Sequence, residues 1–463
     1  MSLQFILGNG KKDHRQVLID EASAWLDQDA SNQVFFLVPN YSKFEQEQEI
    51  LAEMRRRSGK KAFSTTNVQV FSFYRLAWYL LQQTTLLTGN ELSESGSAMI
   101  LRQILEKNEE ELTIFRGEIN KRGFTRQLQE LYSELRTGNI QPEDLMLLFG
   151  DSPNAEDQQL KMKDLKLIFS AYDSELTQRA LTNEDALSIL ANYMQTQDFN
   201  NVKFIVSGFS RINGQEYQLL QAMMEKGQLV VDLLLDRPYT ADLPEVLTLF
   251  HETGKLYFRL FQSARERKVP ILVDRFAPEQ TRPTELQLLQ TMWEETSSQK
   301  KAAVHKLGGQ EHLHLWEAEN PTEEVRQLAV EIRRLVSEEN YRYRDIQVLT
   351  KNMSLYGNIL RPIFQEMAIP FYIDEEQMME NHPLIEWVNS LFALDRYSYR
   401  LSDIMRFFKT ELFLSMETET ELDEWKQERD EFRKKLDITE NVALAYNYQG
   451  TYWTREKDWQ FVA

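Results

Sequence analysis

The chain of 463 residues has no cysteine, which excludes disulfides, thiol catalysis and cysteine-held metal within it. That absence fits a reducing cytoplasm, and a cytoplasmic protein is expected. Histidine is scarce, at six residues. His312 and His314 share one face of a predicted strand, but no third ligand stands near them in sequence, so they read as surface residues and no metal site is expected. No apolar run reaches the roughly 18 residues that a membrane span needs. No basic stretch followed by an apolar one marks a secretory signal. Positive charge is in deficit too, with a formal net charge of −19. An evenly acidic surface repels phosphate backbones, so nucleic acid would have to sit in a local groove. The one dense basic run, Arg55-Arg56-Arg57 with Lys60 and Lys61, serves equally well as a solvated helix end or as a phosphate contact.

The composition is 42% apolar and 27% charged, as in globular proteins, and the length calls for two to four domains. The first stretch of the chain sets the pattern. Phe5, Ile6 and Leu7 form a short strand, Gly8-Asn9-Gly10 a turn, and Val17, Leu18, Ala22 and Trp25 one face of a helix. Strand, glycine turn and helix open a P-loop nucleotide fold. A working P-loop reads G-x-x-x-x-G-K-[S/T], where the lysine reaches the β/γ-phosphates and the hydroxyl holds Mg²⁺. Counted from Gly8, those last three positions are Asp13, His14 and Arg15. Lys11 and Lys12 come too early in the turn. The loop therefore has the topology of a nucleotide site without its phosphate chemistry, or is an ordinary βα turn.

Farther along, strands are predicted over 34–38 and 68–71, each followed by a helix, the first from about 42 to 57. Three βα units in the first 85 or so residues imply a parallel sheet. From 92 to 195 only helices are predicted, over 94–107, 123–136, 156–179 and 183–196. The sheet resumes at Phe204-Ile205-Val206 and ends in Ser207-Gly208-Phe209. A helix over 214–226, a strand over 229–235, a helix over 247–268 and a strand over 271–273 follow. Residues 276–311 are polar and aperiodic and suggest a boundary. A second α/β unit is expected from Leu313, with strands ending at Asn320 and lying over 346–349 and 371–373. Asn320, Pro321 and Glu323 form a helix start of the capping-box kind. After Pro383 the pattern is helical.

Two α/β units, the first interrupted by helices, resemble a superfamily 1 helicase motor. The words match as well. Val70-Phe71-Ser72-Phe73-Tyr74-Arg75-Leu76-Ala77-Trp78 resembles the T-F-H motif of UvrD-like helicases, and more closely the V-x-S-F-x-R-L-A-W signature of the AddB/RexB family, the B subunits of bacterial ATP-dependent helicase–nucleases. Phe36-Leu37-Val38-Pro39-Asn40 is similar to that family's F-L-V-P-D segment. Val206-Ser207-Gly208-Phe209 takes the place of a D-G-F segment, where a true helicase carries an Asp-Glu pair. Segments 341–346, 369–374, 381–386 and 409–412 continue the match. The resemblance implies a RecA-like first domain over 1–90 and 200–290, an inserted helical subdomain over 91–199, the start of a second RecA-like domain over 312–395, and a mostly helical stretch over 396–463.

Family members are about twice this length or more. Their C-terminal half carries a nuclease with Mg²⁺ ligands and, in AddB-type members, a cysteine-held iron–sulfur cluster. Nothing here matches those parts, so no cofactor is expected in this chain. It reads as the N-terminal part of a RexB/AddB-like subunit, and its degenerate loop resembles the RexB branch. The resemblance implies single- and double-stranded DNA and a RexA/AddA subunit as partners, with no membrane. It also implies a role in guiding the 3′-ended strand and recognising Chi, the signal at which resection switches to recombination. By position, the residues implicated are Lys43, Phe73, Arg75, Trp78 and Phe209. Aromatic rings stack on bases and arginine pairs with guanine edges, although aromatics at a strand–helix junction are often core. An active helicase and a scaffold for the A subunit remain the competing readings. The last pair of motif look-alikes, Gly254-Lys255, imitates a P-loop ending without its strand and loop.

Overall fold

In the computed structural model, the described residues are 1–58, 66–82, 93–119, 123–147, 155–178, 186–297, 312–373, 381–412 and 422–456, with a few isolated positions between. Lys60, Lys61, residues 298–311 and Asp374 lie outside them. The chain divides into two compact units, Met1–Leu315 and Trp316–Ala463.

In the first unit, β1 (Ser2–Gly8), α1 (His14–Leu26), β2 (Gln33–Leu37), α2 (Lys43–Ser58), β3 (Val68–Phe71) and α3 (Phe73–Leu81) follow one another. The helices α4 (Glu94–Lys107), α5 (Phe124–Thr137), α6 (Ala155–Gln178) and α7 (Ala186–Thr196) come next, and no strand lies among the described residues from 94 to 196. The sheet continues with β4 (Val202–Val206), α8 (Gly214–Lys226), β5 (Gln228–Leu234), α9 (His251–Glu266), β6 (Arg275–Phe276) and α10 (Thr284–Ser297). All six strands join one sheet in the order β3-β2-β4-β5-β1-β6. Every named pairing is parallel; Phe5 stands opposite Val231 and Phe35 opposite Phe204.

The strands are apolar on both faces, as a covered parallel sheet requires. Their period of two sorts the side chains into two cores. Phe5, Leu7, Phe35, Leu37, Phe204 and Val231 pack with residues of α3, α7, α8 and α9. Ile6, Val34, Phe36, Val70, Ile205 and Val230 pack under α1 and α2. Helices α4, α5 and α6 have a core of their own, with Leu101, Leu105, Tyr132, Phe169 and Tyr172 at its centre. There Asp164 is 1% exposed. Its carboxylate accepts from the backbone N–H groups of Thr113, Ile114 and Phe115 at 2.7–3.1 Å.

Two expectations at the sheet's far edge need correction. Residues 271–273 form no strand; Ile271 makes a single bridge to Leu3, and the ladder beside β1 is β6, a few residues on. The polar stretch after 276, read as aperiodic, contains α10. Its polar residues face other polar groups: Lys11 donates to Thr291 Oγ1 at 2.6 Å. The look-alike at Gly254 is inside α9, where a Cβ would come within 2.9 Å of Pro244; the glycine permits close packing.

The second unit contains α11 (Pro321–Glu338), α12 (Met353–Glu366), α13 (Pro383–Arg396), α14 (Leu401–Lys409) and α15 (Leu422–Tyr446). Val325, Ala329 and Ile332 of α11 pack on Leu360, Ile363 and Phe364 of α12. Asn320 caps α11 by accepting from Thr322 and Glu323 N–H, with Pro321 next; Glu323 pairs with Arg326 instead of returning to the cap. The strands expected up to Asn320 and over 346–349 and 371–373 are corrected here, because no strand lies among this unit's described residues. A parallel strand needs a neighbour to satisfy its backbone, and these apolar segments have none among the described residues. Leu349 and Tyr372 remain 84% and 87% exposed. His312 and His314 accordingly share no strand face.

Asp164→Ala should remove the acceptor of three part-buried backbone N–H groups and cost about 1–3 kcal/mol. A drop in the unfolding midpoint, with faster amide exchange over 112–116 than in the sheet, is the expected result. An unchanged midpoint would show that the carboxylate holds nothing.

Candidate nucleic-acid interface

In α3, Phe73, Leu76, Ala77 and Leu81 are buried at helical spacing. The opposite face therefore presents Tyr74, Arg75 and Trp78 to solvent. Trp78 is 66% exposed. Arg75 has no hydrogen bond or ion pair among the described residues. The chain leaving β4 brings the fourth aromatic. Gly208 has φ of 84°, a conformation that favours glycine, and a Cβ there would press on Pro39 at 3.1 Å. This turn sets Phe209 against Phe73, ring centroids 5.0 Å apart. Phe73, Arg75, Trp78, Phe209, Pro39 and Asn40 thereby line one open cavity of about 920 Å³ at the carboxyl ends of β2, β3 and β4.

Four of the five residues carried over from the resemblance meet in this cavity. Phe73 is 2% exposed, so its ring supports Phe209 and forms the floor, while Trp78 supplies a free face. Lys43 does not line it; at the start of α2 it lies 3.8 Å from Glu47, one helical turn on. Sequence reasoning passed over Tyr41 and Phe44, 78% and 71% exposed on the segment after β2. Their signal was two aromatics directly after a strand-ending proline.

The glycine turn after β1 is a different kind of site. Asp13 caps α1 by accepting from Gln16 N–H at 3.1 Å. His14 Nδ1 lies 2.5 Å from Asp232 Oδ1, and Ser207 Oγ donates to Asp232 Oδ2 at 2.7 Å. Asp232 is 9% exposed on β5, the strand between β4 and β1, so its carboxylate joins the ends of all three. It was legible as the one acid in the apolar run 229–235, but its partners were not. Gly8 is required because a Cβ would stand 2.7 Å from the His14 ring. Lys12 pairs with Glu279 at 3.1 Å, and Lys11 donates to Thr291 Oγ1. Gly10 leaves room for the Gln290 side chain. Arg15 pairs with Glu49 at 2.5 Å. The neighbouring cavity of about 350 Å³ is lined by His14, Arg15, Ser42, Glu45 and Glu49 among others. A triphosphate entering it would face two carboxylates, with its one arginine already neutralised.

Burial pushes the His14 pKa down, but the hydrogen bond and charge of Asp232, with the backbone at Asn9 and Gly8, outweigh it and hold the ring above its ordinary value. At Glu21 on α1 the same balance shifts a carboxylate in the other direction. Burial raises the Glu21 pKa, yet Arg275 and Lys203 keep it below the usual range. Lys203 Nζ is 3.0 Å from Glu21. Among the described residues no three histidine or acidic side chains gather for a metal, and no helix is long and apolar enough to cross a membrane.

The parallel sheet with a glycine turn between its first strand and helix is compatible with a P-loop-like α/β fold. The model of the family described as ADDB, N-terminal, matches residues 5–292. The B subunit of the ATP-dependent helicase/deoxyribonuclease of Enterococcus faecalis is 44% identical over 100% of this chain and 40% of its own length. The B subunits of the same name from Levilactobacillus brevis and Bacillus thuringiensis are 36% and 30% identical, again over 100% of this chain and 38% of theirs. The chain belongs to the AddB/RexB family and corresponds to its N-terminal part. It spans about two fifths of the length of these relatives.

Because the His14 pKa is raised on folding, the pair's stabilisation is full below about pH 6.5 and fades as pH climbs through the folded-state value. The gap in unfolding free energy between the parent and His14→Asn should be larger at about pH 6 than at about pH 9. A gap that does not change with pH would mean that the ring stays neutral.

Proposed function

We propose that this chain is the helicase-like part of the B subunit of a two-subunit helicase–nuclease, that its own motor site is retired, and that it guides the 3′-ended strand and recognises Chi. Its partners are then DNA and an A subunit, and its setting is the resection of double-strand breaks for recombination. The relatives' names speak of an ATP-dependent helicase and deoxyribonuclease; no residue of this chain is assigned to the nuclease step. In this reading residues 1–90 and 200–290 form a RecA-like domain of UvrD-like type, interrupted by 91–199. Residues 312–395 begin a second such domain and 396–463 a further insertion.

One observation carries the strand-guiding role: an arginine unpaired among the described residues and an exposed tryptophan share a cavity with Phe73 and Phe209 at the carboxyl edge of a parallel sheet. In open α/β sheets ligands bind at that edge. Stacking on Trp78 tolerates any base and is worth about 1–3 kcal/mol per base. A bidentate bond from Arg75 to guanine adds about 1–3 kcal/mol of discrimination. Against an active motor stand Asp13, His14 and Arg15 in the P-loop positions, Ser207 where the metal-holding acids belong, and Asp232 bound to both His14 and Ser207.

In the complete two-subunit enzyme, Arg75→Ala and Trp78→Ala should lower Chi-dependent fragment formation tenfold or more and leave total unwinding near the parent level. Equal loss of both activities would make these residues structural and remove the site. The chain alone should show no magnesium-dependent ATP turnover. Turnover abolished by His14→Ala would restore the motor reading.

A further inference from the structure

A second cleft lies on the other side of the first turn of α8. Glu216 of that turn lines the aromatic cavity and Gln215 lines the cleft, so one residue step separates them. The cleft holds about 230 Å³. Arg136, Asn139, Ser188, Asn192, Gln215 and Gln218 line it, and Arg136 is its one charged lining residue among those described. In a chain of net charge −19 this is a local exception.

The walls are fixed. Gly214 at the start of α8 lies against the end of α5 so closely that a Cβ would stand 2.2 Å from the Gly138 carbonyl oxygen. Asn213 and Glu216 tie the same turn by a reciprocal capping box. At the end of α5, Asn139 is left-handed, with φ of 57°. Arg136 is committed only weakly, to Gln141 Oε1 at 3.4 Å.

Gln215 is 2% exposed, and its Oε1 has no hydrogen-bond partner among the described residues. A buried acceptor left unmade costs about 1–3 kcal/mol, so such a group calls for an occupant. The occupant must donate an N–H or O–H to Gln215 and present an anion to Arg136. A phosphodiester alone has no donor. A cation would find no carboxylate among the described lining residues. A nucleotide carries both groups, the donor on its base edge and the charge on its phosphate, and carboxamides are suited to base edges. With no aromatic ring among the described lining residues, the base is held by its edge and not by stacking.

We propose that the cleft takes one unstacked nucleotide of the strand that passes through the aromatic cavity, its base toward Gln215 and its phosphate toward Arg136. This rests on the cavity being the single-strand path. The strand crosses the first turn of α8, and the helical block 94–196 thereby contributes Arg136 and Asn139 to recognition. The role of the block is then to close a second contact, and the cleft selects among bases by their hydrogen-bonding edge.

The test is fluorescence anisotropy of this chain with labelled single strands of about 5 and about 15 nucleotides, titrated at several salt concentrations. The longer strand should bind the parent more tightly. Arg136→Gln and Asn192→Ala, both on accessible side chains, should weaken the longer strand about tenfold and leave the shorter one unchanged. Arg136→Gln should also lower the salt slope of the longer strand by about one. Trp78→Ala should weaken both lengths. If Trp78→Ala weakens binding and the two cleft variants do not, the cleft assignment falls and the cavity stands. If the cleft variants weaken both lengths alike, their role is structural and the assignment also falls. If neither strand binds the parent, both readings fall together.

Discussion

The parallel pairing of the strands is the constraint on which the rest of the first unit depends. Parallel neighbours cannot be joined by a tight turn, so each connection crosses the sheet through a helix and every strand ends at the same edge. Residues far apart in sequence are brought together there. β1 pairs with β5, more than two hundred residues later, and β2 lies between β3 and β4. The glycine turn after β1 and the aromatic loops after β3 and β4 therefore share one rim. Helices α4, α5 and α6, between β3 and β4, do not disturb it, because they build a separate core around Phe169 and Tyr172.

Two neighbouring sites on that rim have gone different ways. At the β1 turn, the positions that would hold phosphate are satisfied from within the protein. Asp232 takes His14 and Ser207, Glu279 takes Lys12, and Glu49 takes Arg15. An incoming anion would have to break these contacts and enter among carboxylates. At the β3 and β4 ends the groups are left open. Arg75 is unpaired among the described residues, and Trp78 faces solvent. The same fold edge thus has a closed polar site beside an open aromatic one, and the open one is where a ligand gains most for least disruption.

Local pattern was enough to read much of this. The strand over 68–71 and the helix over 214–226 coincide with the structure, and short apolar runs in successive βα units placed the sheet. The helix start at Phe73 was legible from the motif, but which of Phe73 and Trp78 faces outward was left open, and the structure buries the first and exposes the second. What could not be read depends on register. Asp232 is 218 positions from His14, and nothing local shows that they touch. Lys43 was placed at the site by position alone, but it spends its charge near Glu47 within its own helix. The segments over 346–349 and 371–373 have the apolar content of strands, yet content does not supply a neighbour to pair with. The helix α10 was hidden because its exposed Leu286, Leu289 and Trp293 sit in a stretch otherwise polar.

The central claim is that the carboxyl edge of this sheet receives a single strand of DNA at β2, β3 and β4 and no longer receives nucleotide at β1. Amide hydrogen exchange, followed once with single-stranded DNA and once with Mg²⁺-ATP, addresses both halves together. Exchange should slow with DNA over 38–44, 72–82 and 207–216, and should not change over 8–16 with ATP. Protection of 8–16 by ATP, or DNA protection confined to other faces of the first unit, would contradict it.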